Sequence, residues 1–201
     1  MRSAVKTDVF REHRDDYAMP TAPTLIRTGP GRYLSVTGTG SAEGDEFRRS
    51  LGALYGTAYT IKFASKKSGK DFKVGIMEGL WWTDRDGSDF PSAPKGEWQW
   101  KLLIRVPDFV KAGDVTTALK SLRAKRGDTP DVKLETLREG RVVQMLHVGA
   151  YADEPRSIAA MDEFVRAKGL HYRGAHHEIY LSDPRRVAPA RLRTILRHSV
   201  A

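Results

Sequence analysis

The chain has 201 residues, which fits one large domain or two small ones, and its 40% hydrophobic and 29% charged residues are typical of a folded soluble protein. It has no apolar run long enough to span a bilayer and no apolar signal-peptide core at its N-terminus, so we expect a cytoplasmic protein. The absence of cysteine excludes disulfides, thiolate metal ligands and a cysteine nucleophile.

The formal net charge is +9, from 34 Lys and Arg against 25 Asp and Glu, and basic proteins attract nucleic acid. The charge is spread along the chain, however, without zinc-finger spacing, an aromatic RNA-binding motif or a separate helix-turn-helix segment. We therefore do not expect nucleic acid to be the primary partner. The densest basic cluster is Arg185, Arg186, Arg191, Arg193 and Arg197.

Strand-like and helix-like patterns alternate along the first half of the chain. Residues 1–23 form a polar N-terminal arm. A strand region starts at Thr24 and is broken by a Gly-Pro-Gly turn, and apolar residues at helical spacing predict a helix that begins near Asp45. The remaining predicted elements of this half are strands at 72–82 and 98–106, with a polar loop between them.

The second half follows the same order of elements. Asp114 is the predicted N-cap of a connecting helix that closes near Gly127, and Glu154 with Pro155 opens a further helix. The C-terminal stretch around Ile195 could form a last short helix or a strand. Further strands are predicted at 134–137, 141–148 and 176–181.

A strand, a glycine-containing loop, a helix and a strand pair thus occur twice, at about 24–107 and 131–201, joined by a helical linker. Paired βαββ units of this kind build one curved antiparallel sheet with helices on one face. We predict an α+β fold in one domain, 24–201, with a central ligand cleft on the other face. Glu78 and Glu178 are expected to face each other across that cleft.

Glu178 lies within an otherwise aromatic and apolar strand. The alternation of a strand places it on one face with His176 and Tyr180, and places Ile179 on the other. A polar strand face is ordinarily exposed to solvent, and that is the simpler interpretation. If the face lines a pocket, the buried carboxylate needs a cation or hydrogen-bond donors, which makes Glu178 a candidate for cation binding or acid–base chemistry.

All four tryptophans fall between residues 81 and 100, close to Glu78. Most aromatic side chains pack in cores, and core packing is the simpler explanation for these four. An aromatic box around a carboxylate would instead hold a flat, lipophilic, often cationic ligand, because stacking supplies apolar area and the acid balances the charge.

Several runs of sequence resemble one known family, the GyrI-like small-molecule-binding proteins, over residues from about 24 to 200. The Glu-Gly-Leu-Trp-Trp strand is typical of the stand-alone branch of that family. So is the C-terminal signature with its His-Glu-Ile-Tyr-Leu-Ser-Asp-Pro-Arg-Arg sequence. The runs that carry the resemblance are Phe47–Phe63, Met77–Trp82, His147–Tyr151 and His177–Arg186, followed by Pro189.

The resemblance implies a pseudo-twofold duplicate of βαββ units with a deep central cleft. Relatives use that cleft as the multidrug-sensing part of transcription regulators, with a central Glu at the position that matches Glu178. This chain has no room for a DNA-binding domain ahead of residue 24, which departs from the regulator architecture. Some stand-alone relatives of similar length are hydrolases that open the cyclopropane of DNA-alkylating natural products, using Glu and Tyr side chains.

We accordingly predict a set of site residues. A cyclopropane conjugated to a dienone opens when a donor hydrogen-bonds to the carbonyl oxygen and a base activates water. The catalytic candidates for these two roles are Glu178, Tyr180 and Glu78. The predicted ligand-binding residues are Glu178, Tyr180, Trp82, Trp98, Trp100, Tyr55, Tyr151 and His176.

Three functions remain open. The first is non-enzymatic binding of hydrophobic or cationic aromatic small molecules, the second is the cyclopropane hydrolase, and the third is modulation of a protein or DNA partner. His176 and His177 lack further ligands at metal-site spacing, so we predict no metal. We also predict no cofactor, because the Thr37–Gly40 loop lacks the Lys and Ser/Thr of a phosphate-binding loop.

Overall fold

The structure, a computed structural model, describes residues 6–84 and 93–201. Most of the predicted polar loop and the first five residues of the arm lie outside the described residues. The helices are α1 (Val9–Glu12), α2 (Asp45–Lys67), α3 (Ala112–Arg126) and α4 (Glu154–Ala167). The strands are β1 (Thr24–Arg27), β2 (Gly31–Thr39), β3 (Met77–Trp82), β4 (Gln99–Arg105), β5 (Lys133–Leu137), β6 (Arg141–Val148), β7 (Tyr172–Tyr180) and β8 (Arg193–Val200).

The eight strands form one sheet in the order β1-β6-β8-β7-β3-β4-β2-β5, and all neighbouring strands are antiparallel. The order is symmetric about the β7–β3 junction. The unit β2-α2-β3-β4 lies on one side of this junction and β6-α4-β7-β8 on the other. Each edge strand pairs with the opposite unit, β1 with β6 and β5 with β2. The predicted α+β fold with one curved antiparallel sheet is confirmed.

The helices α2 and α4 pack on the same face of the sheet. Leu54 of α2 contributes to a core with Leu34 and Leu102, and Met161 of α4 to a second core with Met145 and Leu196. The register of the strands places all these sheet residues on one face. Because α2 lies over β2 and β4 and α4 lies over β6, the central strands β3 and β7 run beneath a gap between the helices. We call this gap the cleft.

The N-terminal arm covers the other face of the sheet. Tyr17 is buried against Ile179 and Ile195, and its ring stacks on Phe10 with 4.6 Å between the ring centroids. The central part of this face is therefore occupied by the chain itself. The cleft lies between the helices rather than on the helix-free face, because the arm takes the place that we had expected a ligand to occupy.

Two local predictions are corrected, and one open alternative is decided. The strand predicted from residue 72 begins at Met77, since Phe72 is instead buried in the core against Phe109. The C-terminal stretch is a strand, β8. Asp114 is the third residue of α3, where its carboxylate accepts a hydrogen bond from the N–H of the N-cap Lys111 at 2.8 Å. Within the described residues, no helix combines the length and apolar character needed to cross a membrane.

Candidate functional site

Glu178 lies at the floor of the cleft, near the C-terminal end of β7. The residue is only 6% exposed. The Tyr180 hydroxyl donates a hydrogen bond to Glu178 Oε2 at 2.6 Å and accepts one from Trp81 Nε1 at 2.9 Å. Burial and the negative charge of Glu178 raise the pKa of Tyr180 well above its usual value, so the hydroxyl keeps its proton. The three residues form a polarised donor chain that ends on the carboxylate.

Gly79 makes room for this chain on the neighbouring strand β3, directly opposite Glu178. A Cβ at this position would lie 2.8 Å from Trp81 Nε1 and 3.3 Å from the Tyr180 hydroxyl. Contacts this short do not occur in relaxed structures, so any side chain at residue 79 would push the indole away from Tyr180. The glycine therefore allows the indole N–H to reach across the sheet.

Aromatic side chains surround the Glu178 carboxylate. The Trp81 ring stacks on Phe47 of α2 at 5.9 Å and meets Trp98 edge-on at 5.7 Å. On the α4 side, Tyr151 packs edge-on against Tyr180 at 6.0 Å and is 38% exposed. These rings place large apolar surfaces on both sides of one buried acid, which is the arrangement expected of a site for flat hydrophobic molecules.

A second acid, which the sequence did not indicate, lies beside Glu178. Glu154 is the first residue of α4 and is 6% exposed, and its Oε1 is buried without a hydrogen-bond partner among the described residues. Burial and the charge of Glu178 raise the pKa of Glu154 to about 10. The raised pKa favours the protonated form of the Glu154 carboxyl.

The model of the family described as the GyrI-like small molecule binding domain matches residues 22–198. The chain belongs to the GyrI-like family. A similar solved structure is that of an uncharacterized conserved protein from Listeria innocua, with a TM-score of 0.90 and 35% identity, over 98% of this chain and 100% of the other. A hydrolase from Listeria innocua has a TM-score of 0.84, the same identity and the same coverage.

A more distant solved structure, the EcmrR C-terminal domain, has a TM-score of 0.62 at 10% identity, over 91% of this chain and 99% of the other. At that identity the likeness concerns the fold alone. Among proteins with curated descriptions, none matches this sequence.

In this GyrI-like domain, the prediction that Glu78 faces Glu178 is wrong. The register pairs Glu78 with Ile179 and Gly79 with Glu178, so Glu78 points to the arm-covered face. It is fully buried there, where Tyr17 donates a hydrogen bond to Oε1 at 2.7 Å and His177 Nε2 lies 3.0 Å from Oε2. Its role is structural, since no ligand in the cleft can reach it.

The predictions that Trp82 and Trp100 line the cleft are also wrong. Trp82 follows Trp81 and therefore points to the arm-covered side of the sheet, where its Nε1 donates a hydrogen bond to Gln99 at 3.0 Å. Trp100 does lie on the helix-bearing face, but it is fully buried beneath Phe47, with ring centroids 5.2 Å apart. Trp81, which is not among the predicted site residues, is instead the tryptophan linked to the Glu178 carboxylate through Tyr180.

The other predicted residues lie around the cleft. His176 Nε2 is 3.6 Å from Glu178 Oε1. Tyr55 of α2 is half-buried beside the main chain of Met77, and burial followed by the charges of Tyr59 and Asp183 raises its pKa. Whether Tyr55, Tyr151, Trp98 and His176 contact a ligand stays a prediction. In the described ranges, 6–84 and 93–201, no group of three or more His, Asp or Glu side chains could hold a metal ion.

Proposed function

We propose that the cleft of this GyrI-like domain binds hydrophobic aromatic small molecules, often cationic, between the Trp81 and Tyr151 sides. The observation that carries the proposal is a buried carboxyl cluster inside an aromatic cleft, in which Glu178 accepts a hydrogen bond from Tyr180. Among the described residues no Lys or Arg pairs with Glu178. A buried acid with no Lys or Arg partner, whose basic neighbour is His176 with Nε2 at 3.6 Å, favours a ligand that brings the positive charge itself.

The expected gain from such a ligand is large enough to matter. A cation about 4 Å from a carboxylate gains roughly 4 kcal/mol at an effective dielectric constant of about 20, before the desolvation of both charges. A desolvated cation over an aromatic ring adds about 2 kcal/mol. Stacking on the partly exposed Tyr151 ring would add apolar contact to these contributions.

Hydrolysis of a strained electrophile is the second candidate. It is favoured by the Tyr180–Glu178 contact, by the neutral carboxylic acid of Glu154, and by the similarity over the whole chain to a hydrolase at 35% identity. A binding site needs only one carboxylate for charge. Hydrolysis needs a donor and a base within hydrogen-bond reach of the reacting atoms, and we assign these roles to Glu154, Tyr180 and Glu178.

The step can be written for a cyclopropane conjugated to a dienone. Glu178 takes a proton from water, whose oxygen bonds to the least hindered ring carbon. The electron pair of the broken carbon–carbon bond moves into the dienone, and its oxygen takes a proton from Glu154 or Tyr180 to become a hydroxyl. The sum is the addition of one water molecule, and the enzyme's protons are restored by exchange with solvent.

A paired assay separates the two candidates. We would measure binding of rhodamine 6G, a flat cationic dye, and turnover of a cyclopropane-containing alkylator. The proteins would be the wild type, Glu178→Gln, and Glu163→Gln as a control that changes an exposed acid on α4. Turnover that only Glu178→Gln loses supports the hydrolase. Saturable dye binding without turnover supports a binding protein, and the absence of both contradicts the proposal.

A further inference from the structure

The C-terminal half of α2 carries two aromatic side chains that the rest of the protein leaves uncovered. Tyr59 is 46% exposed, and Phe63, at 56%, is the most exposed large hydrophobic residue in the described part of the chain. Their spacing of four residues places both on one side of the helix, where the ring centroids lie 6.2 Å apart. Neighbouring exposed rings of this kind indicate a contact surface.

The segment around these rings is strongly basic. Residues 56–73 contain five lysines and one aspartate, and this aspartate, Asp71, is already paired with Lys62. The hydrogen bond from Lys62, and then the charges of Lys66 and Lys6, hold the pKa of Asp71 below its usual value. The surroundings of this end of α2 are therefore positive.

Three lysines beside Phe63 keep their charges available. Lys66 and Lys67 lie one helical turn after Phe63 on the same side of α2, and Lys70 follows the end of the helix. All three are exposed, and within the described residues no carboxylate pairs with any of them. We call Tyr59, Phe63, Lys66, Lys67 and Lys70 the aromatic–basic patch.

We propose that the aromatic–basic patch binds the surface of a bilayer that contains anionic lipid. Its lysines contact the lipid phosphates, while Tyr59 and Phe63 enter the boundary between headgroups and acyl chains, where aromatic rings are favoured. Such binding needs no spanning segment. The inference goes beyond the proposed function, because it concerns a surface outside the Glu178 site and does not require the cleft to bind a cation.

The ring geometry disfavours the other partners of a basic surface. Single-stranded nucleic acid stacks its bases on free ring faces. Here the planes of Tyr55 and Tyr59, and of Tyr59 and Phe63, are inclined by only 28° and 29°, so these faces turn towards one another. Lys62 Nζ also lies 5.9 Å from the Phe63 centroid, over the ring. A second copy of the chain would bring the same lysines together, and like charges repel.

The helix α2 connects the aromatic–basic patch to the cleft. Tyr55, half-buried beside the main chain of Met77, precedes Phe63 by eight residues, which is about 12 Å along a helix. A protein bound through the patch would therefore hold the cleft close to the bilayer, where lipophilic molecules concentrate.

Vesicle sedimentation tests the inference. The probes are vesicles of phosphatidylcholine with about a third phosphatidylglycerol, and vesicles of phosphatidylcholine alone. We expect binding to the mixed vesicles only, and weaker binding as the salt concentration rises. Each lysine at an anionic surface raises the affinity about fivefold, so Lys66→Gln with Lys67→Gln should lower it about 25-fold. Phe63→Ser should lower it about tenfold.

Matched controls separate the patch from the overall charge of the protein. Lys120→Gln with Lys125→Gln makes the same charge change at exposed positions of α3, and Val148→Ser removes another exposed apolar side chain. Both control proteins should keep the wild-type affinity. All these substitutions are at exposed positions, so we expect the variants to fold, and thermal denaturation checks that they do.

The absence of cysteine from the chain allows the contacting surface to be located. Ala64→Cys, next to Phe63, and Ala124→Cys on α3 each supply one exposed thiol for acrylodan, whose emission shifts to the blue in apolar surroundings. Mixed vesicles should shift the emission at residue 64 and leave it unchanged at residue 124.

Several results would overturn the inference. These are no binding to the mixed vesicles, equal binding to both kinds of vesicle, equal losses in patch and control variants, or an acrylodan shift at both residues or at neither. Binding of labelled oligothymidylate that Phe63→Ser abolishes, without vesicle binding, would assign the patch to nucleic acid. A dimer in sedimentation velocity that Phe63→Ser dissociates would assign it to a second copy of the chain.

Discussion

Glu78 and Glu178 occupy matching places in the two halves of the sequence, yet the structure predicts opposite consequences of replacing them with Gln. Glu78 is fully buried between Tyr17 and His177, which lie 2.7 Å and 3.0 Å from its two oxygens. His177 is also bound to Glu139 at 2.9 Å, and Arg197 to Glu139 at 2.7 Å. Removing the Glu78 charge leaves Glu139 to balance both His177 and Arg197.

The expected loss follows from the burial of the network. Breaking a buried ion pair by removing one partner costs about 3–5 kcal/mol, and Gln retains part of the hydrogen bonding, so we expect about 3 kcal/mol for Glu78→Gln. In a chain of about 200 residues this lowers Tm by roughly 6–12 °C. Glu178→Gln instead replaces a buried carboxylate with a neutral amide, so the free energy of unfolding should stay within about 1 kcal/mol of the wild type or rise.

Thermal and urea denaturation at pH 7 measure both variants, with Glu163→Gln as the exposed control. The expected result is a large loss of stability for Glu78→Gln alone. The reasoning is refuted if Glu78→Gln melts within about 2 °C of the wild type, which is less than the shift expected for 1 kcal/mol. It is also refuted if Glu178→Gln loses as much stability as Glu78→Gln.

Three further predictions concern the cleft and the network. Gly79→Ala should lower the free energy of unfolding by about 1–3 kcal/mol and weaken dye binding, because the new Cβ displaces the Trp81 indole. Urea unfolding measures the first effect and a dye titration the second. Tyr180→Phe removes the donor to Glu178 and should raise the dye Kd about 3- to 10-fold with little change in Tm; an unchanged Kd would contradict the assigned contact. Burial opposes the charge of His177, but Glu139 outweighs it and raises the His177 pKa to about 9. The folded protein thus holds a proton that the unfolded chain loses near pH 6.5, so stability should fall between pH 6.5 and 9 by up to about 1.4 kcal/mol per pH unit. Urea unfolding of His177→Gln, repeated across this pH range, should show a smaller fall in the free energy of unfolding as the pH rises.

The buried charged side chains on the arm-covered face form one group in which acidic and basic residues are paired. On the arm-covered face, the charges of His177 and Arg197 outweigh the effect of burial and lower the pKa of Glu139 to about 2. Arg105 pairs with Asp16 of the arm at 2.9 Å, and the Arg197 guanidinium also contacts the main chain of Asp16. The arm is therefore part of the folded domain, and it closes a face that would otherwise expose charged side chains.

Local patterns were sufficient for much of the fold. The alternation of side chains along one strand placed Glu178 and Tyr180 together and put Trp81 and Trp82 on opposite faces, because that period of two belongs to any strand. The helical spacing after Asp45 predicted α2, which extends to Lys67. The order of elements predicted the antiparallel sheet, since each repeated unit has an apolar face to bury.

Contacts between elements that are far apart in the sequence could not be predicted from local patterns. Whether Glu78 shares a face with Glu178 depends on the register of β3 against β7, and a shift of one residue reverses the answer. Trp100 became a core residue only because Phe47 of α2 covers it.

The sequence by itself determined which side chains share a strand face, where α2 runs and that the chain folds as a duplicated α+β sheet, because these follow from local periodicity and element order. Glu154 shows what it did not determine. Its place before Pro155 is already explained as a helix start, so nothing in the sequence marked it for the site. Only the packing of α4 over the sheet buries its carboxyl, and burial followed by the charge of Glu178 raises its pKa.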